Sequence, residues 1–208
     1  MTALAQAVTH RRAARSTVRT DVMLVVAGSL VMAGLAQISI QLPFTPVPVT
    51  GQTLGVLLVG GSLGALLGGA SLLLYLAWGA IGLPFFAGGE SGIDRLGFAT
   101  ASGGYLWGMV IAAVLIGYLA QKRWDRGVGS AIGAFLLGEI IIFTIGVLWL
   151  ANALGIPVQA STACDMATGA GCDALQLGLY PFVIGDLLKV LLAAGAFPLL
   201  WKMLRRER

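Results

Sequence analysis

Asp186 and Lys189 stand three residues apart in YPFVIGDLLKVLLA (180–193), a stretch that is otherwise apolar. At i and i+3 of a helix the two side chains share one face. The carboxylate can accept N–H bonds and the ammonium can donate to a carbonyl or carboxylate. The pair therefore suits capture of a small polar solute, or else an internal ion pair that locks helix packing. Each charge costs about 2.5–3.5 kcal/mol at the centre of a membrane helix on insertion scales, and such residues mark functional sites by default. Glu139, in LLGEIIIF, is the other acidic side chain inside an apolar run; it either meets a polar group from another part of the chain or is protonated in place.

Further polar side chains border these runs. Tyr105, after two glycines in SGGYLWG, offers a ring wall and a hydroxyl, or else anchors a helix end at a membrane interface. Gln52 offers both a donor and an acceptor, or else caps the helix that it begins. The segment FFAGGESG (85–92) is glycine-rich and carries two phenylalanines, so it reads either as a lid, with Phe86 and Ser91 turned to a ligand, or as a plain connector.

Three kinds of chemistry are argued against. GESG (89–92) fits the short pattern around the serine of rhomboid-type intramembrane proteases, but Ser91 would need a histidine base from a later segment, and the sole histidine is His10. A histidine-based metal centre is argued against on the same ground, and two cysteines alone do not make a zinc site. No lysine follows the phosphate-binding pattern G-x-x-x-x-G-K-[ST], so energy from nucleotide would have to come from another chain. The expectation is a protein without enzymatic activity, metal or cofactor.

The elements that hold these residues must be membrane helices. Of 208 residues, 58% are hydrophobic and 11% charged, and the mean hydropathy is +0.91; a soluble domain would lack polar side chains to cover its surface. The formal charge of +4 does not indicate nucleic acid, because the basic residues sit where apolar runs meet water. Six spans are expected, near 22–40, 51–67, 69–83, 103–121, 129–154 and 176–201, mostly suiting helices of ~20 residues. The first run follows a basic segment, as in a signal peptide, but it is long enough to span and more spans follow.

Eleven of the thirteen Lys and Arg fall in three segments: the tail with Arg11, Arg12, Arg15 and Arg19, the loop QKRWDRG, and the end with Lys202, Arg205, Arg206 and Arg208. With six spans all three lie on one side, which the positive-inside rule makes cytoplasmic. The expected organisation is an all-α polytopic membrane protein with a cytoplasmic tail (1–21), a six-helix membrane domain (22–201) and a second cytoplasmic tail (202–208). Gly60, Gly64 and Gly68 recur every fourth position, which places them on one helical face that admits a neighbouring backbone. Cys164 and Cys172 fall in an outer loop, where they would either form a disulfide or remain thiols.

Three segments in order, PVPVTGQTLGVLLVGGSLGALLGGASLLLYLAWGAIGLPFFAGG (46–89), SGGYLWG (102–108) and YPFVIGDLLKVLLA (180–193), closely resemble the BioY family, the biotin-binding S components of energy-coupling factor (ECF) transporters. The likeness runs from about Ala27 to Ala194. It departs at Thr100-Ala101-Ser102, where the family usually reads Gly-Pro-Thr. The resemblance implies a six-helix protein of the prokaryotic inner membrane that captures biotin outside and works with a transmembrane coupling protein and a pair of ABC ATPases, which alone use ATP. It places the family's Asp and Lys on Asp186 and Lys189, as polar anchors for biotin. Asp186 would accept from the ureido N–H groups, while Lys189 would donate to the ureido oxygen or pair with the carboxylate. Gln52, Tyr105, Phe86 and Ser91 complete the expected binding set. S components use small residues of the first helix to meet the coupling protein; Ser29, Ala33 and Ala36 offer such a face here, or else pack internally. An S component for another vitamin is the alternative.

Overall fold

The computed structural model describes residues 18–159, 164–165 and 169–206. His10, Arg11, Arg12, Arg15 and Arg208 lie outside the described residues. Helices α1 (Val18–Ala36), α2 (Gln52–Ala80), α3 (Gly103–Gln121), α4 (Val128–Leu154), α5 (Ala174–Gly178) and α6 (Val183–Arg206) account for most of the fold. All except α5 are long and apolar enough to cross a bilayer. Apolar side chains point outward as well as inward, with Leu66, Ile140, Ile184 and Leu192 among the most exposed. That distribution suits a chain dissolved in lipid, where helices satisfy their own backbone hydrogen bonds.

The run expected as two spans is one 29-residue stretch of helical hydrogen bonding with a break inside it. A straight helix would hold residues 52 and 75 about 35 Å apart, yet Gln52 Nε2 donates to Tyr75 Oη at 2.7 Å. The chain therefore reverses within α2, at Gly64, where φ is +84° and ψ is 179°. Only glycine adopts this backbone readily. A Cβ on Gly68 would lie 3.1 Å from the Gly60 Cα, and one on Gly117 of α3 would lie 2.3 Å from the Gly64 carbonyl carbon. The glycine series thus does more than line one face of a straight helix: it makes a turn, and it lets the two arms of α2 and the flank of α3 approach to backbone contact.

The end of the chain also differs from the expected single span at 176–201. Asp173 and Gln176 cap α5 reciprocally, Asp173 Oδ1 accepting from the Gln176 N–H at 2.8 Å and Gln176 Oε1 from the Asp173 N–H at 3.0 Å. The helix stops after five residues, just before Pro181, which disfavours helical backbone in the residue preceding it. Helix α6 then begins at Val183, which places Asp186 in its first turn.

The first Pro-rich loop is more ordered than a connector. Ser39–Ile40 (β1) pairs antiparallel with Val49–Thr50 (β2), Ser39 opposite Thr50. Cys164 and Cys172 are joined as a disulfide, and a Cβ on neighbouring Gly169 would sit 2.8 Å from the Phe44 carbonyl oxygen, so this loop and the Pro-rich loop lie together. At the other end of the bundle Asp125, buried in the turn between α3 and α4, accepts a hydrogen bond from Trp201 Nε1. The Arg126 guanidinium lies 4.2 Å from the centre of that indole ring. Burial pushes the Asp125 carboxyl above its ordinary value, against the opposing pull of the Trp201 bond.

Ser29, Ala33 and Ala36 are buried. They belong to the face of α1 that packs on α2, where a Cβ on Gly28 would meet Ser71 at 2.5 Å. The small residues of α1 thus serve internal packing, while Val22, Met23, Leu30 and Val31 face outward.

Candidate binding site

A cavity of about 660 Å³ opens between the Pro-rich loop, the 86–101 loop and the upper ends of α2, α3, α4 and α6. Its floor is built where the start of α2 meets the first two turns of α6. Lys189 Nζ donates to the Thr50 carbonyl oxygen at 2.6 Å, to Thr53 Oγ1 at 2.9 Å and to Asp186 Oδ1 at 2.6 Å. Thr53 Oγ1 in turn donates to Asp186 Oδ1 at 2.7 Å. All three ammonium donors are therefore in use, and the pair is held in a closed triangle of hydrogen bonds. Asp186 Oδ2 takes part in none of the hydrogen bonds seen among the described residues, which leaves it as an acceptor for something else.

The triangle sits in apolar surroundings. Asp186 is only 4% exposed and Thr53 7%. Leu106, Met109, Ile142, Phe143 and Phe182 form the walls. Phe143 packs 6.0 Å from Phe182 and 6.2 Å, edge to face, from Tyr105. At the mouth Arg95 pairs with Glu90 at 2.7 Å, both partly exposed.

The other expected residues divide clearly. The Tyr105 ring lines the cavity, and its hydroxyl donates to the Gly178 carbonyl oxygen at 2.8 Å, which ties α3 to α5. Cβ atoms on Gly146 or Gly178 would collide with that ring or hydroxyl, at 2.4 and 2.3 Å. Gln52 lines the cavity too, but it is occupied on both sides, donating to Tyr75 and accepting from Thr50 Oγ1 at 3.0 Å. Phe86 reaches the cavity from a fixed seat: it is buried edge-on against Tyr75, with ring centres 5.7 Å apart. Ser91 is not on the cavity wall. Glu139 is not on it either; it lines a separate apolar groove between α4 and α6.

Thr53 and the Thr50 carbonyl belong to the site although nothing in the sequence of 46–89 marks them, and the same holds of Phe143, Phe182 and the Glu90–Arg95 pair. Among the described residues no cluster of His, Cys, Asp or Glu has the makings of a metal site.

A membrane-embedded helical bundle with a cavity open at one end, apolar walls and a small polar floor is the architecture of an integral-membrane solute-binding protein. Relatives agree with that class and narrow it. The family model described as "BioY family" matches residues 7–206. The chain is 30% identical over 162 residues to the biotin transporter BioY of Rhizobium etli, covering 74% of this chain and 78% of that one. It is 35% identical over 149 residues to the biotin transporter BioY of Rhodobacter capsulatus, covering 69% and 73%. The S-component for biotin from an ECF-type ABC transporter, known from its crystal structure, superposes with a TM-score of 0.71 at 26% identity, covering 90% of this chain and 95% of that one. This chain belongs to the BioY family.

Proposed function

We propose that this protein takes up biotin, capturing it from outside in the cavity above Asp186 and passing it inward as the substrate-binding subunit of an ECF transporter. The observation that carries the reading is the Asp186–Lys189–Thr53 triangle on the cavity floor. Biotin has two ureido N–H donors and a ureido carbonyl at one end, an apolar thioether ring, and a carboxylate at the end of a flexible chain. The unused Asp186 Oδ2 can accept from the ureido N–H groups. Aromatic and aliphatic walls match the ring, and Arg95 at the mouth would meet the carboxylate by exchanging its Glu90 partner for it. Because the Lys189 donors are all engaged, its main task is to hold the Asp186 carboxylate in place and aimed. Direct contact with ligand would require it to release one of the three acceptors.

The two arms of α2 are read as separate spans, which makes six, with both termini cytoplasmic in a prokaryotic inner membrane. The contact of Asp125 and Arg126 with Trp201 supports this, since it puts the basic loop and the basic carboxyl end on one side. No nucleotide site is apparent in the sequence, so the work of transport falls to a coupling protein and ABC ATPases.

Competition binding to the purified protein tests the substrate. Unlabelled biotin should displace labelled biotin at concentrations where thiamine and riboflavin do not. Displacement by either of those vitamins at equal concentration would reassign the substrate.

A further inference from the structure

A second cavity of about 540 Å³ lies between α4 and α6 on the outside of the bundle. Its lining is mostly aliphatic, including Ile140, Leu148, Val183 and Leu187, each about half exposed, with Phe143 and the Thr144 hydroxyl group, which forms no hydrogen bond with Glu139, among them. Two charged residues interrupt it. One is Asp186, shared with the ligand cavity; the other is Glu139. Glu139 is 6% exposed, and neither carboxyl oxygen has a hydrogen-bond partner among the described residues. Asp186 and Lys189 of α6 are the charged groups that act on it electrostatically. The facing stretches of α3 and α4 contribute no other acid or base.

An unpartnered carboxyl beneath a lipid-facing groove is costly whether charged or neutral. Lipid tails have no donor to offer it. Glu139 is the twelfth of 27 residues in α4, hence roughly 16 Å along the helix from its cytoplasmic end. That is near the middle of a hydrocarbon core about 30 Å thick, beyond the reach of head groups from either leaflet. A donor at that depth has to be carried by another transmembrane helix. The groove extends along α4 from Leu136 to Leu148, more than three turns, a length suited to a helix ridge.

We infer that the α4/α6 groove receives a transmembrane helix of the transporter's membrane partner, which presents a hydrogen-bond donor to Glu139. This rests on the proposal that the chain works with a coupling subunit. Docking there would also press on α6 one turn from the residues that hold the ligand, since Asp186 belongs to both cavities.

Dicyclohexylcarbodiimide provides the test. It dissolves in lipid and adds to a buried carboxylic acid, which then rearranges to a stable N-acylurea retaining every atom of both reactants. Membranes containing the chain alone, and membranes containing the full complex with coupling subunit and ATPases, are treated, and adducts are mapped by mass spectrometry. Glu139 should be labelled in the chain alone and at least tenfold less in the complex. In parallel, Glu139→Leu should lower recovery of the complex at least tenfold, while Glu139→Gln, which keeps an acceptor, should lower it less than threefold. Equal labelling with and without the partner would overturn the inference, as would no labelling of the chain alone or equal recovery of both variants with the parent. Protection in the chain alone that vanishes on dilution would assign the groove to a second copy instead. If biotin binds but no complex forms, the partner reading fails and takes this inference with it. If Glu139 is protected in the complex but biotin does not bind, only the substrate reading fails.

Discussion

Thr53 joins both charges of the site: it accepts from Lys189 and donates to Asp186 through one oxygen. A buried charge that loses one hydrogen bond typically loses about 1–3 kcal/mol. Thr53→Val keeps the shape and removes the hydroxyl, so biotin affinity should fall about tenfold, equivalent to ~1.4 kcal/mol. Thr53→Ser keeps the oxygen and should lose less than about threefold, as read by equilibrium binding. Lys189→Met leaves the Asp186 carboxylate buried without its cation, so it should lower the unfolding temperature in detergent as well as weaken binding. An unchanged unfolding temperature would mean that Asp186 does not depend on Lys189. The two charges were readable in the sequence because an Asp and a Lys in an apolar run have few innocent explanations. Thr53 was not, because a threonine near a helix start serves equally as a cap, a packing residue or a ligand, and only the fold shows what stands opposite it.

The reversal inside α2 seats Tyr75 against Gln52 on the wall of the cavity. Gly64 has a positive φ, which costs a side-chain-bearing residue on the order of 1–3 kcal/mol. The neighbouring backbone of Gly117 leaves no room for adjustment. Gly64→Ala should therefore lower the thermal midpoint by several degrees, and Gly117→Leu should prevent recovery of folded protein, both measured by thermal unfolding in detergent. A Gly64→Ala protein as stable as the parent would contradict the reversal. Hydrophobic runs showed correctly where most helices lie, because lipid permits little else. The four-residue glycine period suggested one smooth helical face, because periodicity records spacing and carries no sign of φ. The short α5 and the two-residue strands β1 and β2 escaped notice for a related reason: elements of two to five residues are too short to show a pattern, and they are held by partners distant in sequence, such as the bond from Thr45 Oγ1 to the Leu177 carbonyl at 2.7 Å.

Over the whole molecule, the ligand cavity and the disulfide loop gather at one end, and the basic loop and the carboxyl end gather at the other. If the first end faces outward, a membrane-impermeant maleimide applied to intact cells should label Cys164 and Cys172 only after reduction. Labelling without reductant would refute the disulfide, and no labelling after reduction would refute the orientation. At the opposite end, the raised carboxyl of buried Asp125 links stability to pH. In the window between its unfolded value of about 3.9 and its higher folded value, the folded state holds more protons than the unfolded one. Stability from this group is thus full below that window and is lost as pH rises through the folded value. Asp125→Asn can still accept from Trp201 and should flatten this slope, as measured by unfolding temperature across mildly acidic pH. A slope identical to the parent's would show that another group is responsible.

Biotin uptake by this protein requires the buried triangle to be the place where the ligand is held. Calorimetric titration of biotin into the detergent-purified protein, with Asp186→Asn and Lys189→Met alongside, examines this. Tight binding by the parent and at least a tenfold loss, about 1.4 kcal/mol, in each variant is the expected result. A folded parent that bound no biotin, or variants that bound it as tightly as the parent, would contradict it.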